Sequence, residues 1–580
     1  MPRLTKGWRR LAFAVLAAGV AAVTMTSAAG AGRGSDQLRK INHIVVIYEE
    51  NHSFDNLYGG WEGVNGLANA DAEHTIQVDQ NGTPWSCLLQ LDVNLTVPPL
   101  SKVCSGTRFN PTSTFDSHFV NGYFTIDDYI PPTATTCPKP QNSFSFTNGI
   151  RDGARDPVTG ELIGLPGGCT RDLVHKFYQE QYQLNGGAQN RYATGSDSAG
   201  TTMGVYNTRN LPIYRYLHSG NHPHYAIADN FFQAAFGGSF LNHQWLVAAA
   251  TPSDPNAPPN LHSLVDSAGF PRNNYPLYNP LPNTTYRDSD FTIPCPAPVT
   301  KPELACGNWA VNTMQPTNEP FGTFGEKLVT QSHATIGDRM SAAGVSWGWY
   351  AGGWDNAAGN KNGVGFTNGP GPTCSDPAHD TNPAYHYPKC PDFAFQFHHQ
   401  PFVYFANYAP DTPGRTHLRD EVEFENAAKS STSTCNLDSV SFIKPVGEEN
   451  EHPGYASEHS GSTHLIELLE LIRNSACAKD TMVVVTYDEF GGQWDHVSPP
   501  GQGNNNGPHD QWGPGTRIPA LVISPFLRGN FAVDHTQYDT TSILALIEEK
   551  YGLAPLSSRD AAVNSLSDVF AAKQQQAAGP

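Results

Sequence analysis

The stretch His43-Ile44-Val45-Val46-Ile47-Tyr48-Glu49-Glu50-Asn51-His52-Ser53-Phe54-Asp55 sets an apolar run directly before a cluster of oxygen-bearing side chains. Ile44, Val45, Val46 and Ile47 read as the centre of a buried strand at about residues 43–48. The end of such a strand is where α/β enzymes hold ligands. A second run, Met482-Val483-Val484-Val485-Thr486-Tyr487, ends in Asp488-Glu489 and breaks at Gly491-Gly492. Either pair alone reads most simply as a solvated loop or a helix cap. Two pairs in matched contexts predict one site for a divalent cation, with Glu50, Asn51, Asp488 and Glu489 converging from both ends of the chain.

Between these ends the sequence is rich in turn formers, with 54 Gly, 46 Pro and only 15% charged residues in 580. The regions at about 60–170, 252–320 and 353–392 read as loop-rich insertions. A short helix is predicted at 173–184 and a strand at Tyr225-Ala226-Ile227-Ala228. Leu465, Leu468, Leu469 and Ile472 recur at helical spacing, and a further strand falls at 518–524. Ile543, Leu544 and Ile547 mark a helix capped near Asp539 or Thr540 and closed by Gly552. This alternation predicts an α/β fold, a mostly parallel central sheet with helices on both faces. One catalytic domain is expected over 40–560, with an Ala/Gln-rich disordered tail at 561–580.

Arg3, Lys6, Arg9 and Arg10 precede an apolar segment at 11–23, and Ala29-Gly30-Ala31 resembles a cleavage site, so 1–31 reads as a signal peptide. The Arg9-Arg10 pair raises the twin-arginine route. The protein is therefore expected to be exported, secreted or periplasmic. The segment is shorter than the ~20 residues that span a bilayer, and no integral membrane association is expected. Ten cysteines suit that compartment. Neighbour pairing would join Cys87 to Cys104, Cys137 to Cys169, Cys295 to Cys306, Cys374 to Cys390 and Cys435 to Cys477, although sequence does not fix connectivity. The absence of CxxC pairs argues against structural zinc. A formal charge of -19 argues against nucleic-acid partners.

Ser239 is the candidate nucleophile, because Gly237-Gly238 permits a tight turn that resembles a nucleophile elbow. Leu241 stands where the last glycine of that motif would be, and a serine after two glycines is structural more often than not. Among 22 histidines, His398 and His399 lie in an aromatic setting, His452 precedes Pro453, and His175 falls in the predicted short helix. His118, His243 and His496 are held in reserve. Any one of them alone is more simply a satisfied structural histidine. A hard-metal site, a serine and several imidazoles together suit phosphoryl transfer.

These residues resemble a known family: the bacterial phosphoesterases that include exported phospholipases C and a group of acid phosphatases, within the alkaline phosphatase superfamily. The segments that carry the resemblance are 43–55, Ala228-Asp229-Asn230-Phe231-Phe232, Phe397-His398-His399-Gln400-Pro401-Phe402, 487–497 and 518–525. The resemblance implies an alkaline-phosphatase-like sheet carrying long disulfide-pinned insertions. It implies that Glu50, Asn51, Ser239, Asp488 and Glu489 bind one divalent metal ion and that Ser239 is also the nucleophile. Asn51 would also touch the substrate phosphate. His175, His398 and His452 would act at the phosphate site, with His399 binding substrate if the two adjacent imidazoles divide their roles. Oxygen-rich ligation suits magnesium, calcium or manganese, while nearby histidines keep zinc and iron open.

A serine nucleophile leans toward the acid-phosphatase branch: hydrolysis of phosphate monoesters on phosphorylated small molecules through a phosphoserine. The alternative is a phospholipase C cleaving the phosphodiester of phospholipid headgroups, in which Trp347, Trp349, Tyr350 and Trp354 could rim a choline pocket, although these four read more simply as core. A lower-ranked alternative, prompted by 11% aromatic residues, is a secreted carbohydrate- or surface-binding protein.

Overall fold

The computed structural model describes residues 36–89, 101–109, 112–128, 172–196, 198–265, 288–295, 304–318, 320, 326–366, 395–447, 449–453 and 458–575. The predicted signal segment lies outside these residues, as do Cys137, Cys169, Cys374 and Cys390. The apolar run at 44–47 folds as β1 (His43–Glu49), buried from residue 44 onward. The other strands of its sheet are β2 (Tyr225–Ala228), β3 (Trp347–Ala351), β4 (Leu418–Asp420), β5 (Val440–Lys444), β6 (Thr481–Tyr487), β7 (Ala520–Ile523), β8 (Phe531–Asp534) and β9 (Lys573–Gln574). Their order is β9-β8-β2-β7-β6-β1-β5-β3-β4. All neighbours run parallel except the pairs made by β7 and β9.

Burial on both faces explains the near-continuous Val and Ile in β1 and β6. The two strands pair from His43 opposite Thr481 to Glu49 opposite Tyr487. The next residue on each, Glu50 and Asp488, therefore leaves the sheet side by side. That register converts a separation of more than four hundred residues into adjacency.

Strand alternation divides the flanking helices into two layers. Tyr48 meets His243 of α3 (Ser239–Ala248) edge-on, with ring centroids 4.9 Å apart, and α6 (Thr541–Tyr551) packs beside α3. Glu49 turns to the opposite face, covered by α2 (Pro212–Leu217), α4 (Glu421–Ser430) and α5 (Glu458–Arg473). Leu465, Leu468, Leu469 and Ile472 form the buried stripe of α5. Helix α6 follows Thr540 and ends at Gly552 in a left-handed conformation, as its sequence predicts.

Three of the neighbour disulfides form: Cys87–Cys104, Cys295–Cys306 and Cys435–Cys477. Among the described residues, no helix is long and apolar enough to cross a membrane.

Two sequence-based boundaries are corrected. Helix α1 spans Phe177–Leu184, so His175 lies not in a helix but in the extended segment before it. The tail expected to be disordered from residue 561 instead folds through residue 575. Leu566–Ala571 forms a 3₁₀ helix, and β9 pairs antiparallel with β8. The Ala/Gln-rich composition hid Leu566, Val569 and Phe570, which occupy one side of that turn and are buried. Removing one of these anchors creates a cavity. Phe570→Ala is expected to lower the free energy of unfolding by about 3–5 kcal/mol, measured by urea denaturation; a loss below about 1 kcal/mol would mean that the tail contributes no packed core.

Candidate active site

The carboxyl ends of β1, β5 and β6 and the first turn of α3 converge on one point. Ser239 opens α3, and its Oγ lies 3.2 Å from Glu50 Oε2, 3.3 Å from Asn51 Oδ1 and 3.5 Å from Glu489 Oε1. Asp488 organises the backbone around them: its Oδ1 accepts from Asn51 N–H at 3.2 Å and from Glu489 N–H at 2.8 Å. Asn51 adopts φ 61°, the left-handed region that asparagine tolerates better than most residues. Gly491 lies so close that a Cβ there would stand 2.3 Å from the Asn51 carbonyl oxygen. A glycine after Asp488-Glu489 is thus a packing requirement of Asn51.

The Gly237-Gly238 pair answers to a second close approach. Gly237 has φ 90°, and a Cβ on it would meet Phe177 N at 2.8 Å; one on Gly238 would meet His175 Cδ2 at 3.0 Å. The extended segment before α1 is thereby laid against the serine turn, with His175 Nε2 3.4 Å from Glu489 Oε1. No side chain caps the first turn of α3, which leaves its N–H groups free to bind an anion.

The imidazoles take distinct positions. His399 Nε2 sits 2.8 Å from Glu50 Oε1. His398 beside it makes no such carboxylate contact among the described residues, and its Nδ1, like His399 Nε2, has no hydrogen-bond partner of good geometry. Its neighbour's commitment to Glu50 thus separates two residues that the sequence could not tell apart. His452 Nδ1 lies 2.7 Å from the Pro453 carbonyl oxygen and its Nε2 2.8 Å from Asn51 Nδ2. Because the amide donates and the carbonyl accepts, this pattern selects the neutral Nδ1–H tautomer. Burial pushes the His452 imidazole down to about 4, consistent with that neutral form. His175, His398, His399, His452 and Ser239 all line one cavity of about 440 Å³.

The reserve histidines lie elsewhere or beneath. His243 Nδ1 donates to the Ser239 carbonyl oxygen, 2.8 Å away, and lies under the site. His496 pairs with Asp55 at 2.5 Å. His118 contacts the Ser101 carbonyl oxygen, away from the cavity. Trp347, Trp349 and Tyr350 belong to β3 and are core residues, as is Trp354, so they do not rim the cavity.

Sequence reading missed Lys444. The last residue of β5, it is fully buried, ion-pairs with Glu50 Oε1 and donates to the Tyr48 carbonyl oxygen at 3.0 Å. A lone lysine ending the apolar run Val440-Ser441-Phe442-Ile443 was the available signal. Burial pushes the Glu50 carboxyl up, but His399 and Lys444 more than offset this and hold it well below the usual carboxylate range. Asp488 and Glu489 have no comparable partner: burial, reinforced by neighbouring carboxylates, pushes both well above that range. Asp488 Oδ2 is buried without a hydrogen-bond donor. A buried carboxylate set so short of positive charge fits a divalent cation held by Glu50, Asn51, Asp488, Glu489 and Ser239. Glu50 also groups with His243 and His399, whose ligand atoms lie within 4.8 Å of one another, so nitrogen ligands are at hand besides oxygen.

The Phosphoesterase family matches residues 41–127 and 157–554 of this chain. Phospholipase C B of Mycobacterium tuberculosis is 23% identical across 97% of the chain and 85% of its own length. Phospholipase C A of the same organism is 24% identical across 95% and 81%. The non-hemolytic phospholipase C of Pseudomonas aeruginosa is 24% identical across 41% and 34%. Among solved structures, the lipoteichoic acid synthase LtaP of Listeria monocytogenes covers 62% of this chain at 10% identity, with a TM-score of 0.23 that carries no argument. Matched over most of its length, the chain belongs to the Phosphoesterase family and is a hydrolase acting on phosphoester bonds.

Proposed function

We propose that this chain is an exported, metal-dependent phosphoesterase that hydrolyses phosphate monoesters through a phosphoserine on Ser239. The observation that carries the reading is the position of Ser239 Oγ, within 3.5 Å of Glu50, Asn51 and Glu489 and at the uncapped start of α3. Ser239 Oγ passes its proton to a carboxylate oxygen beside it, Glu50 Oε2 or Glu489 Oε1, and attacks phosphorus in line; the Oγ–P bond forms as the bond to the ester oxygen breaks. Asn51 and the first N–H groups of α3 bind the non-bridging oxygens. A histidine facing the cavity, His175 or His398, gives the departing alcohol its proton, while His452, whose Nε2 accepts from the Asn51 amide, orients Asn51. Water then attacks the phosphoserine and releases phosphate. A bound divalent cation supplies charge neutralisation and a lowered hydroxyl pKa at Ser239. His399 and Lys444 position Glu50 and take no part in proton transfer.

Monoesters rank first because the aromatic residues that a choline rim would need, Trp347, Trp349, Tyr350 and Trp354, are core residues, and the described cavity wall is mostly polar, including Asp172, Lys176, Asn312 and Gln396. Phospholipase C activity is the second reading, favoured by the names of the full-length relatives. Asp172 and Asp290 on the cavity wall would suit a cationic headgroup. A carbohydrate- or surface-binding role is set aside by membership in a family of hydrolases.

Ser239→Ala should lower kcat by at least about a thousandfold, and phosphoserine should be found at Ser239 by mass spectrometry after acid quench. Retained turnover in this variant would refute the covalent route. Turnover of p-nitrophenyl phosphate above that of phosphatidylcholine is expected; activity confined to the lipid would install the second reading instead. Exhaustive chelation should abolish activity and a divalent ion should restore it. Lys444→Met strands the Glu50 carboxylate and should cost about 3–5 kcal/mol of stability, partly recovered in the Lys444→Met/Glu50→Gln pair. A loss below about 1 kcal/mol in urea denaturation would show that Glu50 does not depend on Lys444.

A further inference from the structure

A second cluster of ionisable groups lies behind β1, on the opposite face of the sheet. His464 of α5 places Nε2 2.8 Å from Glu421 Oε1 and 3.7 Å from Glu449 Oε2. Its Nδ1 lies 3.9 Å from Glu467 Oε2. Glu421, Glu449 and His464 each present one ligand atom, and these atoms lie within 4.8 Å of one another. They come from three separate pieces of chain: the first residue of α4, the segment at 449–453 and the middle of α5.

Glu49 supplies an independent indication. Strand alternation turns it away from Glu50 and into this layer, where it interacts electrostatically with Glu451, Lys444, His464 and Glu421. It is fully buried, and neither of its carboxylate oxygens has a hydrogen-bond partner. An unpartnered buried carboxylate is costly. The cationic groups acting on it are Lys444, already engaged by Glu50, and His464, already facing Glu421.

Another buried carboxylate cluster shows the contrast. Asp55, Asp495 and His496 also gather ligand atoms, but Arg517 fills their centre, 3.1 Å from both Asp55 and Asp495. At the back-face cluster the nearby lysine, Lys429, is spent on Glu425 at 2.7 Å. A cavity of about 570 Å³ lined by Glu425, Lys429, Glu467 and Glu470 reaches His464 between α4 and α5, which provides an entry path for an ion.

We propose that Glu421, Glu449 and His464 bind a second divalent cation, with Glu49 as a further carboxylate facing it. The mixed imidazole and carboxylate set selects zinc or manganese over magnesium. The ion would tie α4 and α5 to the segment that carries His452, whose Asn450 carbonyl oxygen accepts from Glu50 N–H at 2.9 Å. The inference does not depend on the reaction proposed for Ser239.

The test uses the full-length protein, stripped with chelator, reloaded with zinc or manganese, and dialysed before elemental analysis. The front-site variant Asp488→Asn/Glu489→Gln should retain one equivalent and lose it when His464→Gln and Glu421→Gln are added. If the front site holds no ion, wild type itself should carry one equivalent that His464→Gln removes. Glu449→Gln, at a partly exposed position, guards against misfolding of the buried variants: zinc should raise the Tm of the wild type by several degrees and that of Glu449→Gln by much less. Equal metal content in front-site protein with and without His464→Gln/Glu421→Gln, together with equal Tm shifts in wild type and Glu449→Gln, would overturn the proposal and leave an imidazolium–carboxylate ion pair only.

Discussion

Three carboxylates buried around one hydroxyl group repel one another strongly in a medium that screens them poorly, and this constraint organises the architecture. Parallel pairing of β1 with β6 delivers Glu50 and Asp488 to the same place, so the fold itself creates the repulsion. Compensation is lopsided. Glu50 receives Lys444 from the neighbouring strand β5 and His399 from the loop above, whereas Asp488 and Glu489 receive mainly backbone N–H donors. A charge deficit confined to one side of Ser239, the proposed nucleophile, is the condition under which a cation binds both tightly and in a defined position. Lys444 therefore has a role beyond neutralisation: by ion-pairing directly with Glu50 it leaves the charge deficit on the side of Asp488 and Glu489.

Consecutive glutamates make the same problem recur on both faces of one strand. Glu49 and Glu50 differ by one step of the pleat, and that step sends one to each layer of helices. Each side is handled with different means. The front layer uses a buried ammonium and an imidazole; Arg517 closes the neighbouring Asp55–Asp495 pair with a guanidinium. Behind the sheet, His464 faces several carboxylates by itself.

Local signals were legible and relational ones were not. An apolar run ending in acidic residues announces both the strand and its functional end, which is why β1, β6, Glu50 and Asp488 were readable directly. Ser239 drew attention through its two glycines, though the sequence did not show that Gly238 is required by His175. That approach depends on the extended path of the segment before α1, and the apolar spacing at 173–184 reads as helix throughout. Lys444 escaped because a single lysine at the end of an apolar strand resembles a solvated strand terminus; its burial is decided by Glu50, a residue nearly four hundred positions away. Composition misled at the C-terminus, where three apolar anchors among alanines and glutamines pack the chain. His398 and His399 are indistinguishable as neighbours in sequence, and only the contact with Glu50 divides them.

Ser239 and the acidic pair Asp488-Glu489 are also fixed relative to each other, and hydrogen bonds rather than apolar packing do this. Glu180 of α1 accepts from Gly237 N–H at 2.5 Å and from Thr516 N–H at 2.7 Å. Gln233 donates to Glu180 Oε2 at 2.9 Å and to the Gly237 carbonyl oxygen at 3.1 Å, while its own carbonyl accepts from Phe490 N–H at 3.0 Å. One buried amide thus bridges the turn before Ser239 and the residue after Glu489. Such a network is directional where packing is not, and every donor in it has a fixed acceptor. The 3.5 Å between Ser239 Oγ and Glu489 Oε1 is consequently set by the backbone on both sides, so the geometry of the site is held before any ligand arrives.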